Sequence, residues 1–363
     1  MNDKKVAIVH DWLYGGGAEK VVLELHRMFP DAPIYTSYCS DVWREKLDDK
    51  VITGYLQHWP FSSLRKFLPL LRQWWFRSLD LSGYDVVLSS SGNGEAKFAR
   101  ASDTATHVCY CHTPTHFYWR HYNQYLQSPG IRPKWLVRLA LKLLVKPLRT
   151  RDYRAAQKVD YFIANSSHIK QDIKRFYDKD AVVVHPPVDI ERFSTEKRRK
   201  RSGFITVGRQ TPYKRTDLII KACNQLELPL TVVGTGPEHA RLQELAGSTV
   251  TLRTEVTDEE LPELLASSQG FIFAAFEDFG IAPVEAMAAG TPVIAYEAGG
   301  ALDYVIEGDT GIFFSEQTVS AIVSTLETFD RAKFDEDRVK KQAEQFSAAK
   351  FRENIDRSLR AIN

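Results

Sequence analysis

The 363-residue sequence predicts an α/β protein made of two halves, each a parallel sheet with helices on both faces. Two observations carry this. Short apolar runs rich in β-branched and aromatic residues alternate with stretches of helical periodicity, as buried parallel strands with crossover helices require. The alternation breaks once, at HPPVDIERFSTEKRRKRSG (185–203), where two prolines and a run of charges cannot continue a strand.

In chain order, the first half offers strands at Val6–Val9, Ile34–Thr36, Val86–Ser89, His107–Tyr110, Tyr161–Ala164 and Val182–Val184. The second repeats the scheme at Gly203–Val207, Leu230–Val233, Val250–Leu252, Phe271–Ala274 and Pro292–Ala295. Residues 335–362 have few turn residues and read as helix to the end. The expected division is an N-terminal domain over 1–190, a linker over 191–202, a nucleotide-binding domain over 203–340, and a C-terminal helix over 341–363 that packs back on the first domain. Ligands of open parallel sheets sit beyond the carboxyl ends of the strands, and each motif below falls there.

Apolar residues make up 44% of the chain and charged residues 26%, the balance of a globular protein with a substantial core. There is no run of 18 apolar residues to span a bilayer, and MNDKK leading straight into VAIVHDW predicts no signal peptide. Four cysteines in a chain of this length form no disulfide framework, which suits a reducing cytoplasm. The net charge of +2 hides an asymmetry: residues 1–200 carry 32 Lys and Arg against 21 Asp and Glu, and the remainder carries 16 against 25. A basic half suits an anionic partner such as a membrane, a phosphorylated substrate or nucleic acid.

Gly15, Gly16 and Gly17 stand between the first strand and a helix from about Ala18. Their backbone N–H groups and the helix N-terminus make an anion site, against the alternative of a merely flexible turn. No Gly-Lys-Ser/Thr follows, so this is not a Walker loop. In FITVGRQTPYKRTDLIIKA (204–222), Gly208 ends a strand, and Arg209 and Lys214 follow before a helix from about Thr216. Two cations there suit a diphosphate, Arg as a fork and Lys as a point charge. In FEDFGIAPVEAMAAGTPVIA (276–295), Glu277 precedes a helix expected over Pro283–Ala289 and Glu285 lies in its first turn. Pro283 and Glu285 suit a helix start in their own right. Glu277, ahead of the helix, is placed to accept from sugar or ribose hydroxyls.

GRQTPYKR, VVGTGPE and FEDFGIAPVEAMAAGTPVIA, in this order and spacing, resemble the retaining GT-B glycosyltransferases of family 4 over nearly the whole chain. HDWLYGGGAEK and CYCHTPTHFYW are most similar to bacterial mannosyltransferases that build O-antigen or exopolysaccharide repeats. The resemblance implies a GT-B architecture, two Rossmann-like domains with a cleft between them. It implies that Arg209 and Lys214 neutralise the donor diphosphate, Glu277 bonds the donor sugar, Glu285 holds the ribose, and Phe279, Gly280 and Ile281 offer backbone N–H groups. His112 would approach the donor sugar, and Gly15–Gly17, Gly208, Gly234 and Val256 would line the donor site. It also implies retention by same-face attack, the leaving phosphate taking the acceptor's proton. With no well-placed D-x-D or His/Cys cluster, and with Arg209 and Lys214 to supply positive charge, no metal or other cofactor is expected. Asp11 is the candidate for positioning the acceptor. The sequence departs from the family at Thr254-Glu255, where a Gly-containing turn is usual, and at Asp303, where Glu is commoner.

Three decoys read otherwise. VVGTGPEHA lacks the third glycine of a dinucleotide fingerprint, being His239 there. Strand alternation puts Cys109 and Cys111 on one face and His112 on the other, so they read as buried thiols rather than metal ligands. Asp178-Lys-Asp180, a D-x-D spelling, reads as a solvated turn.

Two stretches mix cations with large apolar residues. WPFSSLRKFLPLLRQWWFRSL (59–79) holds Arg65, Lys66, Arg72, Trp74 and Trp75. KWLVRLALKLLVKPLR (134–149) repeats Lys134, Arg138, Lys142 and Lys146 every four residues, one stripe on a helix otherwise almost wholly apolar. This pattern suits an interfacial helix on an anionic membrane; the alternative is an ordinary core face beside a solvated stripe. No nucleic-acid module is recognisable. The expected partners are therefore a nucleotide-sugar donor, with GDP-mannose chosen by resemblance, a lipid-linked saccharide acceptor and the inner face of the cell membrane. Competing readings are another donor such as UDP-glucose, a nucleotide-sugar epimerase, or a non-catalytic membrane scaffold.

Overall fold

The computed structural model describes residues 4–64, 68–120, 122–127, 133–194 and 200–362, less the side chains of 124, 125, 127 and 140. The chain divides into two units, Met1–Pro186 with Arg352–Asn363, and Pro187–Phe351.

The first unit holds a seven-stranded sheet of β1 (Val6–His10), β2 (Ile34–Thr36), β3 (Val51–Ile52), β4 (Val86–Ser91), β5 (Thr106–Cys111), β6 (Tyr161–Ala164) and β7 (Ala181–Val183), in the order β3-β2-β1-β4-β5-β6-β7. The second holds six, β8 (Phe204–Val207), β9 (Leu230–Val233), β10 (Val250–Arg253), β11 (Gly270–Phe273), β12 (Val293–Tyr296) and β13 (Gly311–Phe314), in the order β10-β9-β8-β11-β12-β13. All the paired strands run parallel. Each sheet therefore reverses its winding beside its own first strand, at β1/β4 and at β8/β11, and there the loops that leave the two paired strands run to opposite faces of the sheet and leave room for a ligand.

Burial follows the apolar runs. Every residue of β1 and β4 is buried. Along β11, Phe271 and Phe273 join the core on one face of the sheet while Ile272 and Ala274 join the other, as a period of two dictates. The strands the sequence reading missed, β3 and β13, are both edge strands. β3 is two residues long with Ile52 exposed, too short to register as a run.

Two boundary expectations are corrected. The segment 191–202 is not simply a linker: Ile190–Phe193 forms a helical turn capped by Asp189, and Phe193 lies fully buried in the core of the second unit. Arg201 is tied to the carbonyls of Ser268 and Ala289 and to Thr291 Oγ1; residues 195–199 of this stretch lie outside the described residues. The chain end is two helices, Glu336–Glu344 and Ala348–Arg360, rather than one. They part where the Phe346 carbonyl accepts from Val188 N–H at 2.9 Å and the Phe346 ring packs on Phe279 and Tyr304, contacts that a continuous helix would not leave free.

The two basic stretches separate in the structure. In the helix Pro69–Arg77, Arg72 and Trp75 turn inward, so their expected membrane contact does not hold. Arg72 pairs with buried Glu95 at 2.6 Å and lies over the Trp12 ring, and Trp75 is 6% exposed, stacked edge-on against Phe76. Trp74, one position earlier at 100° around the helix, is 59% exposed. Arg65 and Lys66 lie outside the described residues. The long helix Lys134–Ala156 changes character along its length. From Val145 onward it joins the core through Val145, Leu148, Asp152, Ala155 and Ala156. Before that point Lys134, Arg138, Lys142 and their apolar neighbours Trp135, Leu136, Leu139, Leu143 and Leu144 are all exposed, Leu143 by 67%. The apolar face of this half is therefore not core. No helix among the described residues is long and apolar enough to cross a membrane.

Arg72→Ala should destabilise the protein by about 3 kcal/mol, because it strands the Glu95 carboxylate in the interior. Trp74→Ala should change stability by less than about 0.5 kcal/mol. Urea unfolding of both variants checks the assignment; equal effects would reverse it.

Candidate active site

In the second unit the site grows from the carboxyl end of β8. Gly208 follows the strand at φ +156°, and a Cβ there would stand 3.5 Å from Lys214 Nζ. The chain then makes a 3-10 turn over Pro212–Lys214 and, with Arg215 in the left-handed region, enters the helix Thr216–Gln225. The turn points Lys214 back over the Phe273 ring at the end of β11, where it ion-pairs with Glu277. Both side chains are largely but not wholly enclosed, each 17% exposed. Arg209 is exposed and has no ion pair among the described residues. Gly208, Arg209, Lys214, Thr206, Thr216 and Phe273 line a pocket here.

Glu277 is held through its backbone, its carbonyl accepting from Gly300 N–H at 2.9 Å. Gly280 follows at φ +88°, where a Cβ would meet Phe273 Cζ at 3.0 Å, the Tyr304 hydroxyl at 3.2 Å and Glu277 Oε2 at 3.3 Å. Glycine is the residue that fits, and it brings the N-terminus of the helix Ile281–Ala288 up to the Glu277 carboxylate. This helix begins two residues before the expected Pro283, because a proline in the first turn gives up an N–H that has no partner there in any case. Glu285 lies in its second turn and is partly buried. Phe279 is buried against Tyr304 and Phe346, so its side chain is core and only its backbone is available to a ligand. Val256 is partly buried against the same core. Gly234 follows β9, and a Cβ on it would strike the Gly208 carbonyl at 2.3 Å.

Gln210 was not singled out from the sequence. It is buried, donates through Nε2 to the Gly234 carbonyl at 2.7 Å and bonds His239 Nδ1 through Oε1, locking the loops after β8 and β9 together. A lone Gln in a loop carries no sequence signal for this.

In the first unit two expectations change. Asp11 is fully buried and saturated: Oδ2 accepts from the N–H groups of Gly92 (2.7 Å) and Asn93 (2.6 Å), and Oδ1 from Ala96 (2.5 Å). It anchors the loop after β4 and does not face an acceptor. The glycine loop is also not an open anion cradle, because Glu19 Oε1 accepts from Gly15 N–H at 2.9 Å and from Tyr14 N–H at 3.3 Å. Gly17 is already the first residue of its helix. The site's own carboxylate thus takes the place read for a phosphate, and a second anion there would be repelled.

His112 sits just beyond β5, its Nε2 2.9 Å from Ser90 Oγ. Burial of the ring lowers its pKa to about 3, with neighbouring His10 adding to the effect, so the imidazole is neutral at physiological pH. Cys109 and Cys111 point away from it into core, and burial pushes the Cys109 thiol up to about 12. The Asp178 and Asp180 carboxylates are exposed and pair with Lys174 at 3.2 and 3.4 Å, a surface turn as expected.

Residues 15–192 match the model of Glycosyltransferase Family 4, and residues 187–346 match that of Glycosyl transferases group 1. The chain belongs to the family 4, group 1 glycosyltransferases. Arg209, Lys214, Glu277 and Glu285 fall within the group 1 segment, and Gly15–Gly17 and His112 within the family 4 segment. Among curated relatives, a D-inositol 3-phosphate glycosyltransferase of Streptomyces avermitilis is 29% identical, over 47% of this chain and 44% of its own. The chain thus spans about half the length of that relative. A GDP-mannose-dependent phosphatidylinositol monomannoside mannosyltransferase of Mycolicibacterium smegmatis is 27% identical over 49% of this chain and 55% of its own. An α-1,3/1,6-mannosyltransferase of Schizosaccharomyces pombe is 25% identical over 85% of this chain and 70% of its own. Of solved structures, HepE of Anabaena in complex with UDP superposes with a TM-score of 0.67 at 20% identity, covering 98% of this chain and all of that one. At this identity the likeness speaks for the fold, a GT-B architecture.

Asp11→Ala should cost about 3 kcal/mol or more, since it leaves three backbone N–H groups buried without an acceptor. Thermal and urea unfolding measure it; unchanged stability would return Asp11 to a substrate-facing role.

Proposed function

We propose that this chain is a retaining hexosyltransferase that moves mannose from GDP-mannose to a lipid-linked saccharide at the inner face of the cell membrane, in cell-surface polysaccharide synthesis. The observation that carries the reading is the meeting of Lys214 and Glu277 beside free Arg209 at the β8/β11 reversal. When the sugar C1–O bond to the diphosphate breaks, negative charge gathers on the leaving oxygen and positive charge on C1. Arg209, Lys214 and the N-terminus of the helix Ile281–Ala288 stabilise the first. Glu277, released from Lys214 by the incoming phosphate, accepts from sugar hydroxyls, and Glu285 from the ribose. The acceptor oxygen bonds C1 on the face the diphosphate leaves, and its proton passes to a leaving phosphate oxygen. This chemistry requires neither a metal nor a separate base.

The names of the mannosyltransferase relatives support mannose. A UDP-sugar donor is the second reading, favoured by the UDP-glucose in a HepE structure that superposes with a TM-score of 0.69. Membrane association is supported by the first half of the helix Lys134–Ala156. Row 135/139/143 is apolar and exposed, and row 134/138/142/146 beside it is cationic and exposed, so anionic headgroups and the acyl boundary are met by adjacent faces. Exposed Trp59 and Trp74 are the remaining described anchors of the other stretch.

Glu277→Ala and Lys214→Ala should each lower transfer by two to three decades, about 3–4 kcal/mol, with the fold intact. Nucleoside diphosphate release from GDP-mannose with membrane lipid extract, in excess chelator, checks this. Near-normal turnover of either variant, or loss of wild-type activity to the chelator, would overturn the leaving-group assignment.

Each cation near an anionic surface contributes about 1 kcal/mol, so changing Arg138, Lys142 and Lys146 together to Glu should abolish flotation with anionic liposomes. Equal flotation of the triple variant would make the stripe a solvated face.

A further inference from the structure

At the β1/β4 reversal three side chains from neighbouring strands form a chain of hydrogen bonds. His10 Nδ1 lies 2.9 Å from the carbonyl oxygen of Ser90 and 3.1 Å from its Oγ, and Ser90 Oγ lies 2.9 Å from His112 Nε2. The register imposes this, since His10 pairs directly with Ser90 and Ser91 with Cys111, one residue before His112.

Donor and acceptor roles follow from the atoms. A carbonyl oxygen can only accept, so His10 Nδ1 carries a hydrogen, which it shares between the Ser90 carbonyl and hydroxyl oxygens. Ser90 is completely buried, so its own hydroxyl hydrogen needs a protein acceptor, and the one within bonding distance among the described residues is His112 Nε2. A ring nitrogen that accepts carries no hydrogen. Neutral His112 therefore bears its hydrogen on Nδ1, which no described protein atom occupies. Edge contacts with Tyr110, centroids 5.0 Å apart, and with His10, 6.4 Å apart, hold the ring in place.

We propose that His10 and Ser90 are positioning residues that fix His112 in its Nδ1–H tautomer, so that it serves transfer as a neutral hydrogen-bond donor to a substrate oxygen and not as a proton-accepting base. This rests on the proposed transfer reaction and on His112 facing the donor sugar, as the family resemblance implies. The arrangement suits a reaction that builds positive charge on the sugar: a neutral N–H holds an oxygen without adding a repelling charge, whereas an imidazolium would oppose the developing cation.

Long-range proton–nitrogen NMR of the ¹⁵N-labelled protein at neutral pH reads the tautomer without any substrate. His112 should show a protonated Nδ1 and a bare Nε2, and Ser90→Ala should shift both resonances as Nε2 becomes free to protonate. Ser90→Cys replaces Ser90→Ala if the latter does not fold. A protonated Nε2 in the wild type, or spectra unmoved by the Ser90 change, overturns the relay.

Kinetics supply the functional arm, because an Asn amide NH₂ superposes on the imidazole Nδ1 and a Gln amide NH₂ on Nε2. His112→Asn should keep kcat within about tenfold of wild type. His112→Gln should lose about a hundredfold, as for a lost donor to a charged transition state. Ser90→Ala should lose about tenfold in kcat with little change in KM, the worth of one hydrogen bond. Equal activity of the Asn and Gln variants below wild type overturns the donor role. Wild-type activity in both instead removes His112 from the substrate, a failure of the functional reading that leaves the NMR result to stand or fall by itself.

Discussion

The reversal of winding beside the first strand of each sheet is the constraint on which the rest of this protein depends. In a wholly parallel sheet each crossover helix must lie on one face or the other, and where the chain changes direction two neighbouring loops diverge. Here that happens at β1/β4 and at β8/β11, and the chemically distinctive side chains collect at these two places. His10, Asp11, Ser90 and His112 belong to the first, and Gly208, Arg209, Lys214 and Glu277 to the second.

Charge placed at such a point must be satisfied within the protein until a ligand arrives. Glu277 takes Lys214, Glu19 takes the N–H groups of the glycine loop, and Asp11 takes three N–H groups of the loop after β4. The three differ in what a ligand could displace. The Lys214–Glu277 pair retains some solvent access, so a phosphate can compete for the lysine. Asp11 is sealed in, and replacing it would leave buried donors unpaired, which makes it a fixed part of the scaffold.

A second buried network ties the long helix of the first unit to the loops around His112. Asp152 accepts from Thr115 Oγ1, Trp119 Nε1 and the Tyr177 hydroxyl, each at 2.8 Å, and pairs with Lys97 at 2.6 Å. Lys97 in turn donates to the Gly94 carbonyl. One carboxylate thus holds the inner half of the helix Lys134–Ala156 against the segments following β4 and β5, while the outer half of the same helix presents its apolar and cationic rows to solvent. The buried end gives the exposed end a rigid base.

What the sequence by itself determined was whatever depends on local pattern. The apolar runs marked eleven of the thirteen described strands, and the two they missed, β3 and β13, are among the four that lie at sheet edges. The spacing of GRQTPYKR and FEDFGIAPVEA marked the cationic and acidic residues of the second unit, because motif residues on short loops after strands keep their places whatever surrounds them. Burial of individual polar side chains was decided only by tertiary structure. Arg72 and Trp74 sit in the same basic, aromatic stretch, yet two residues of helical rotation send one to Glu95 and leave the other in solvent. Asp11 lay near enough to the glycine loop to suggest a substrate, and the turn after β4, 81 to 85 residues on, filled its oxygens instead. Hydrogen-bond partners so distant in sequence leave no local signature: they exist only once parallel strands have brought their carboxyl ends together.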